Sequence, residues 1–257
     1  MISDQTPKSE LSVENHTEVR ITPYYQHAGI TIYHGDCREI LPTLGRVDAV
    51  ITDPPYGIGH KSNWGSTWMN TVIAGDHDTT VRDGIVQWSR DLPGVYFGTW
   101  KTPPVDGCVG CVVWDKGPAF GMGDLAFPWK ASFELAYIRG RGWSAENRGE
   151  GVLRGPVMVS WESRGRSRPH QKPTWLLCHF IQRIAGTILD PFMGSGTTLV
   201  AAKQLGRRAI GIEIEEKYCE IAAKRLSQEV LFGVEIPQIT KGESDVGDNL
   251  FSTLESA

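Results

Sequence analysis

The sequence predicts an α/β fold built on a mostly parallel sheet. Strand-like and helix-like segments alternate along the chain, which is typical of layered α/β folds. Two short apolar runs, at 47–52 and 187–189, each end at an Asp-Pro turn formed by Asp53-Pro54 and Asp190-Pro191. Short apolar runs of this kind are typical of strands buried on both faces, as in parallel sheets.

The second apolar run opens a compact unit of strand, glycine loop, helix, strand and helix. Within it, we expect a helix at 197–205, a strand at 208–212 and a helix at 216–228, whose apolar residues recur at helical spacing. The remaining predicted elements are strands at 95–98, 111–114 and 133–138 and helices at 38–44, 79–88 and 174–184.

Length and composition indicate one large domain with room for a small insert. The chain has 257 residues, of which 40% are hydrophobic and 22% charged, an ordinary globular mixture. Residues 1–20 are polar and predict a flexible arm rather than a secretory signal, and 237–257 predict a disordered acidic tail. The domain itself is expected at 21–236. The absence of a long apolar run predicts that the chain does not span a membrane, and its few cysteines favour the reducing cytoplasm.

The five cysteines do not suggest a disulfide framework, because they are few and odd in number for this length. Cys108 and Cys111 form a C-x-x-C pair inside an apolar run, with no second pair at metal-binding spacing. We expect them to be two buried strand thiols rather than a zinc or redox site. No metal is predicted.

Charge is unevenly distributed along the chain, although the net charge is only -4. Residues 139–172 carry eight Lys or Arg against three Glu, whereas 229–257 are strongly acidic. A basic stretch of this kind is a candidate surface for nucleic acid, although a solvated face is the more common explanation.

The loop at 190–196, Asp-Pro-Phe-Met-Gly-Ser-Gly, is a candidate ligand site. A strand that leads through Gly194 and Gly196 into a helix presents backbone N–H groups at the positive helix end. Glu213 ends the next strand, where a carboxylate can accept hydrogen bonds from both ribose hydroxyls. The loop lacks the lysine of a phosphate-binding loop, which disfavours a nucleotide hydrolase. A helix-start turn without a ligand is the alternative.

The second candidate site is the tetrad Asp53-Pro54-Pro55-Tyr56. The prolines fix the backbone and have no N–H to donate, so their carbonyls are left as acceptors. The Asp53 carboxylate and the Pro54 carbonyl can each accept one hydrogen of a planar amine, while Tyr56 stacks on its ring. A Pro-Pro turn that merely closes a strand is the alternative.

The tetrad and the loop together resemble the two signatures of S-adenosylmethionine-dependent DNA amino-methyltransferases. The tetrad precedes the loop, an order similar to that of the β group of these enzymes. Gly35-Asp36-Cys37 and His170-Gln171-Lys172-Pro173 resemble further family segments. The resemblance implies a Rossmann-like class I methyltransferase sheet, mostly parallel with an antiparallel edge hairpin, in a circularly permuted motif order. It also implies a small target-recognition insert, expected at 139–168.

The resemblance assigns roles to individual residues. Asp53, Pro54, Pro55 and Tyr56 would hold the target base. The cofactor S-adenosyl-L-methionine would be bound by Asp36, Cys37, Lys172, Asp190, Phe192, Met193, Gly194, Ser195, Gly196, Thr197 and Glu213. Two of these have ordinary structural alternatives, since Asp36 could cap a helix and Lys172 could be a solvated loop lysine.

The partner implied by the resemblance is double-stranded DNA, from which the target base is flipped. Exposed cations would contact its phosphates, the candidates being Lys61, Arg139, Arg141, Arg164, Arg166 and Arg168. Composition predicts that 57–78 form a mobile loop over the catalytic mouth. A small recognition region favours a homodimer, and a cognate restriction enzyme is a candidate partner.

Asp at the first tetrad position is typical of enzymes that methylate adenine N6, which is the predicted target. Cytosine N4 is the first alternative, and a catalytically silent nucleic-acid-binding module is the alternative of another class. Enzymes acting on RNA or on protein glutamine typically have Asn first in the tetrad and the cofactor loop before it. Both features differ here.

Overall fold

A computed structural model of the chain describes residues 21–59, 76–117, 132–144, 149–155 and 171–228. Its strands are β1 (Tyr25–His27), β2 (Ile30–His34), β3 (Ala49–Thr52), β4 (Gly94–Gly98), β5 (Cys108–Asp115), β6 (Phe133–Arg139), β7 (Val152–Arg154), β8 (Ile188–Asp190) and β9 (Ala209–Glu213). Its α-helices are α1 (Cys37–Ile40), α2 (Thr80–Trp88), α3 (Thr174–Ile181), α4 (Thr197–Gln204) and α5 (Glu216–Ser227), with a 3-10 turn at Leu41–Thr43.

The strands of these ranges form a single mixed sheet in the order β1-β2-β9-β8-β3-β4-β6-β5-β7. From β2 to β4 all neighbours are parallel, and β8 lies at the centre between β9 and β3. β6 runs antiparallel to both β4 and β5, and the β5–β6 pair is the predicted antiparallel hairpin near this edge of the sheet. This is the Rossmann-like arrangement that the sequence predicts.

Helices cover both faces of the sheet, which is why its central strands are buried throughout. Every residue of β3, β4 and β8 is buried. One apolar cluster joins the sheet to α3, α4 and α5, and a second joins the opposite face to α1 and α2. Burial on both faces explains why these strands have continuous apolar sequences rather than alternating ones.

The elements predicted from sequence are all present, with ends that differ by a few residues. The sequence analysis did not identify β1, β2 or β7. β1 and β7 have three residues each, too few for a periodic signal. In β2 the apolar residues Ile30 and Ile32, both buried, alternate with less buried residues, and this alternation in the sequence could have identified the strand.

Arg139 is buried, and the prediction that it is exposed for phosphate contact is wrong. Its side chain is 6% accessible to solvent. The guanidinium donates hydrogen bonds to the backbone carbonyl oxygens of Asp106, at 2.8 Å, and Ser89, at 3.0 Å. Strand pairing of β6 with β4 and β5 creates this pocket, so Arg139 is a structural residue. Arg141 is exposed, as predicted.

The C-x-x-C pair lies on β5, but the prediction that both thiols are buried is wrong. Cys108 is half-buried and Cys111 is exposed, and neither forms a disulfide. β5 lies near the edge of the sheet, which leaves several of its side chains accessible. No group of three or more metal-ligating side chains occurs among the residues that the structure describes.

Several predictions concern residues outside the described ranges. They are the arm at 1–20, the tail at 237–257, most of the loop at 57–78, and the phosphate-contact candidates Lys61, Arg164, Arg166 and Arg168. None of the helices in the described ranges has the length and apolar character needed to cross a membrane.

We expect Arg139→Met to lower the free energy of unfolding by about 3 kcal/mol, because the carbonyl oxygens of Asp106 and Ser89 each lose a hydrogen bond from a charged donor. Urea denaturation measures this change. Arg141→Met is the matched control and should change stability by no more than about 0.5 kcal/mol, since Arg141 is exposed. Equal effects of the two substitutions would contradict the assignment of Arg139 as a structural residue.

Candidate functional site

The two predicted loops leave the sheet side by side. β3 and β8 are parallel neighbours, with Val50 paired to Leu189, so their carboxyl ends meet at the same edge. The Thr52 hydroxyl donates to the Asp190 carboxylate at 2.7 Å, across a separation of 138 residues in sequence. The tetrad and the glycine loop therefore begin at the ends of adjacent strands. In open α/β sheets, ligands bind at such strand ends.

Asp190 is the residue that holds the two loops together. It is 3% exposed and also accepts a hydrogen bond from the Phe192 backbone N–H at 3.2 Å. Burial raises the pKa of Asp190 to about 6, although hydrogen bonds from Thr198 and Thr52 oppose the shift. Its Oδ1 atom thus accepts hydrogen bonds from both loops and links them to each other.

The backbone of the glycine loop is shaped to receive a ligand. Gly194 and Gly196 both have positive φ, at +52° and +77°, a conformation that side chains disfavour. A Cβ at Gly196 would lie 2.7 Å from the Ala222 Cβ, so α5 packs directly against the loop. At Gly194 a Cβ would meet no atom within 4 Å. The loop is therefore tight against the protein at one glycine and open at the other.

Glu213 lies at the end of β9, beside the open glycine. Its Oε2 accepts from the Gly194 N–H at 3.0 Å, and its Oε1 accepts from the Glu215 N–H at 2.8 Å. Burial raises the pKa of Glu213. Each carboxylate oxygen has about two acceptor positions. The Ile214 backbone N–H also contacts the carboxylate, whose remaining acceptor capacity is suited to a ligand hydroxyl group.

Arg225 of α5 forms hydrogen bonds with the glycine loop, a contact that no signal in the sequence predicted. It donates to the Ser195 carbonyl oxygen at 2.6 Å and to the Thr197 hydroxyl oxygen at 3.2 Å. The Ser195 hydroxyl contacts the Gln171 amide oxygen at 3.4 Å. Ser195 and Thr197 are therefore engaged in holding the start of α4, next to the predicted cofactor position.

Two of the predicted cofactor residues have side chains in the apolar core. Met193 is 5% exposed and packs where a Cβ on Gly211 would be 2.5 Å from its sulfur atom. Cys37 is 6% exposed, and burial raises the pKa of its thiol to about 11. Phe192 is half-buried against the second core cluster. Met193 and Cys37 thus contribute packing to the site.

Asp36 has the helix-capping role that the sequence analysis held open. It is the N-cap of α1 and accepts from the Arg38 backbone N–H at 2.9 Å. Its carboxylate also pairs with the Arg38 guanidinium, whose hydrogen bonds lower the pKa of Asp36. Asp36 lies at the same sheet edge as Glu213, because the Gly35 N–H donates to the Glu213 carbonyl oxygen at 2.9 Å.

The tetrad presents one carboxylate in a defined orientation. Asp53 Oδ1 accepts from the Tyr56 hydroxyl at 2.5 Å, and Pro54 and Pro55 are buried beneath them. Burial and the nearby Asp53 carboxylate raise the pKa of Tyr56 well above its usual value, so the phenol keeps its proton and donates it to the hydrogen bond.

Asp76 fixes the chain immediately after the tetrad. It is 2% exposed, and its carboxylate accepts from the Gly57 N–H at 2.8 Å. Its backbone carbonyl accepts from the Gly59 N–H at 2.7 Å. Gly57 has a φ of +72°, and a Cβ there would lie 2.7 Å from the Asp78 carbonyl carbon. The described ends of the predicted loop at 57–78 are therefore held together.

Lys172 contacts the tetrad rather than the glycine loop. Its side chain is 8% exposed, and its Nζ lies 2.5 Å from Asp53 Oδ2 and 3.1 Å from Glu134 Oε2. The ammonium group also lies 5.0 Å from the centre of the Phe97 ring. The sequence analysis selected Lys172 but did not identify Glu134, which has no local motif around it.

We expect Asp190→Asn to remove part of the pH dependence of stability. The pKa of Asp190 is about 6 in the folded protein against a usual 3.8, so folded protein retains this proton where the unfolded chain releases it. Stability contributed by Asp190 is therefore complete below about pH 4 and is lost as pH rises through about 6, by about 3 kcal/mol.

Urea denaturation from about pH 4 to about pH 7 tests this expectation. The asparagine variant should gain stability relative to the original chain as pH rises, because it has no carboxylate to ionise. Curves that run parallel across this range would contradict a raised pKa at Asp190.

Comparisons with known proteins agree with this geometry. Residues 142–224 match a family described as DNA methylase. The type II methyltransferase M.HinfI of Haemophilus influenzae is 37% identical over 300 residues, covering 88% of this chain and 80% of that protein.

Two solved structures share the fold. The M1.HpyAVI-SAM complex has a TM-score of 0.56 and 24% identity, covering 77% of this chain and 100% of that one. The cytosine-N4-specific PvuII DNA methyltransferase has a TM-score of 0.60 and 16% identity, covering 80% of this chain and 89% of that one. Sequence similarity across most of both chains, on a shared fold, establishes the family: the chain belongs to the N6/N4 DNA amino-methyltransferases.

Proposed function

We propose that this protein transfers a methyl group from S-adenosyl-L-methionine to the N6 amine of a flipped adenine in double-stranded DNA. The observation that carries the proposal is the contact between the ends of β3 and β8, where the Thr52 hydroxyl meets the Asp190 carboxylate at 2.7 Å. This contact brings the Asp53 carboxylate beside the glycine loop. An amine acceptor and a nucleoside-binding loop thus share one cleft.

The residues at the glycine loop fit the cofactor. Glu213 retains acceptor capacity for a ribose hydroxyl, and the backbone at Gly194 has open space above it. Backbone N–H groups at the start of α4 suit the carboxylate of the cofactor. When bound, S-adenosylmethionine supplies a methyl group already activated by a positively charged sulfur. The M1.HpyAVI complex, which shares the fold, contains this cofactor.

Asp53 and Pro54 would orient the target amine. An exocyclic aromatic amine is a weak nucleophile, because its lone pair is delocalised into the ring. Acceptance of one amine hydrogen by the Asp53 carboxylate and one by the Pro54 carbonyl directs the lone pair toward the methyl group. The amine nitrogen would gain the methyl carbon as the S–C bond breaks and S-adenosylhomocysteine leaves, and the proton released from the nitrogen would pass to solvent. Alignment of this kind can lower a barrier by several kcal/mol.

Tyr56, whose hydroxyl donates to the Asp53 carboxylate, provides aromatic surface beside Asp53 for the flipped base. Extraction of a base from the duplex costs a few kcal/mol, which stacking and hydrogen bonding in the pocket offset. Arg141 is exposed and remains our candidate for phosphate contact within the described ranges. A homodimer and a cognate restriction enzyme remain predictions from the sequence.

Asp53 as the first residue of the tetrad favours adenine over cytosine. Cytosine N4 is the second candidate, because the structurally similar PvuII enzyme is cytosine-N4-specific. The two reactions use the same cofactor and the same pair of acceptors, so the methylated base itself must be identified.

We expect the protein to transfer labelled methyl groups from S-adenosylmethionine to unmethylated DNA and to yield 6-methyladenine on hydrolysis to nucleosides. Asp53→Ala should reduce the rate at least about 100-fold, because the amine loses its orienting acceptor. Labelled 4-methylcytosine would overturn the adenine assignment. Cofactor binding without transfer to any DNA would favour the silent binding module.

We expect Glu213→Gln to weaken binding of S-adenosylmethionine about tenfold, because one acceptor oxygen becomes an amide donor. Isothermal titration calorimetry measures the dissociation constant directly. Asp53→Ala is the matched control, since it lies on the base side of the cleft and should change cofactor affinity by less than about threefold. Unchanged affinity in the Glu213 variant would remove Glu213 from the cofactor site.

A further inference from the structure

We infer that Glu134 and Lys116 are positioning residues that orient the Asp53 carboxylate through Lys172. This inference rests on the proposed function, in which Asp53 accepts the target amine. It extends the site to the outer strands of the sheet, β5 and β6, which contribute nothing to the glycine loop or to the tetrad.

Four side chains form a row of alternating charge across the strand ends. Lys116 Nζ lies 2.5 Å from Glu134 Oε1, and Glu134 Oε2 lies 3.1 Å from Lys172 Nζ. Lys172 Nζ in turn lies 2.5 Å from Asp53 Oδ2. Lys116 follows β5, Glu134 belongs to β6, and Asp53 follows β3, so the row crosses β4. Two positive and two negative groups give it no net charge.

The environment of the row keeps its two central groups, Glu134 and Lys172, ionised. Burial alone would raise the pKa of Glu134, but the Lys172 and Lys116 ammonium groups outweigh it and lower that pKa to about 2. Burial would likewise lower the pKa of Lys172, but the Asp53 and Glu134 carboxylates raise it well above its usual value. Lys172 is therefore a permanent cation held between two carboxylates.

The row determines the direction of the free lone pairs on Asp53. Tyr56 occupies one acceptor position on Oδ1 and Lys172 occupies one on Oδ2. With both oxygens anchored, the carboxylate cannot rotate, and its remaining acceptor positions point in fixed directions. Without Glu134, the Lys172 ammonium would have Asp53 as its one carboxylate partner and would follow the motion of Asp53 instead of restraining it.

Lys116 is the outer member of the row, and its positive charge compensates the negative charge of Glu134. A half-buried carboxylate shared between two ammonium groups stays close to both, whereas removal of one partner leaves its charge less compensated. Lys116 pairs with Glu134, and Glu134 pairs with Lys172, so Lys116 is the member of the row furthest from Asp53. We therefore expect loss of Lys116 to have a weaker effect than loss of Glu134.

A double-mutant cycle on the rate of a single methyl-transfer turnover tests the inference. We expect Glu134→Gln and Lys172→Met each to lower the rate about 10- to 100-fold at saturating DNA and cofactor. Because Glu134 acts through Lys172, the double variant should be no slower than Lys172→Met alone. Affinity for S-adenosylmethionine should change by less than about threefold in all three variants.

Lys116 supplies a second test that does not depend on tolerance of a buried substitution. Lys116→Met should slow transfer about threefold to tenfold, and Lys116→Arg, which retains the ion pair, should restore the original rate. Arg46→Met is the control for loss of an ion pair, since it breaks the exposed Arg46–Asp48 pair at the amino end of β3. It should leave the rate unchanged.

Two results would overturn the inference alone. The first is an active protein in which Glu134→Gln costs the same factor with and without Lys172, and the second is an active protein in which both Lys116 variants transfer at the original rate. If the protein without substitutions transfers no methyl group, the proposed function and this inference would be overturned together. Thermal unfolding of each variant separates a loss of folded protein from a loss of rate.

Discussion

The parallel pairing of β3 with β8 is the contact on which the rest of the site depends. It joins segments 138 residues apart in sequence and places two loops at one edge of the sheet. Asp190 strengthens this junction by accepting hydrogen bonds from Thr52 on one side and Phe192 on the other. A buried carboxylate at the junction lowers stability when ionised. The same carboxylate that lowers stability when ionised therefore also fixes the position of the two loops relative to each other.

Charge compensation is the second organising feature, and it separates the two halves of the cleft. On the side that we propose for the base, Lys172 and Lys116 together balance the carboxylates of Asp53 and Glu134. On the side that we propose for the cofactor, Glu213 accepts from backbone N–H groups and has no cationic side chain among its hydrogen-bond donors in the described ranges. The proposed site therefore offers a balanced set of charges to a neutral base and an acidic side chain to a cofactor that carries positive charge.

Local sequence signals predicted the elements that bury continuous apolar runs, and they located both loops. They failed where a residue acquires its role from strands that are distant in the sequence. Arg139 looks like any basic residue in a basic stretch, and its partners are backbone carbonyls that only sheet pairing brings near it. Glu134 is likewise an ordinary acid in its own strand. Its function follows from the antiparallel insertion of β6 beside β4, which no pattern within 133–139 encodes.

The anchoring of Gly57 and Gly59 by Asp76 bears on how the tetrad keeps its position. β3 fixes the chain before Asp53, and Asp76, which is buried and precedes α2, fixes it after Tyr56. The tetrad is therefore attached at both of its ends, and its conformation does not depend on one strand end alone.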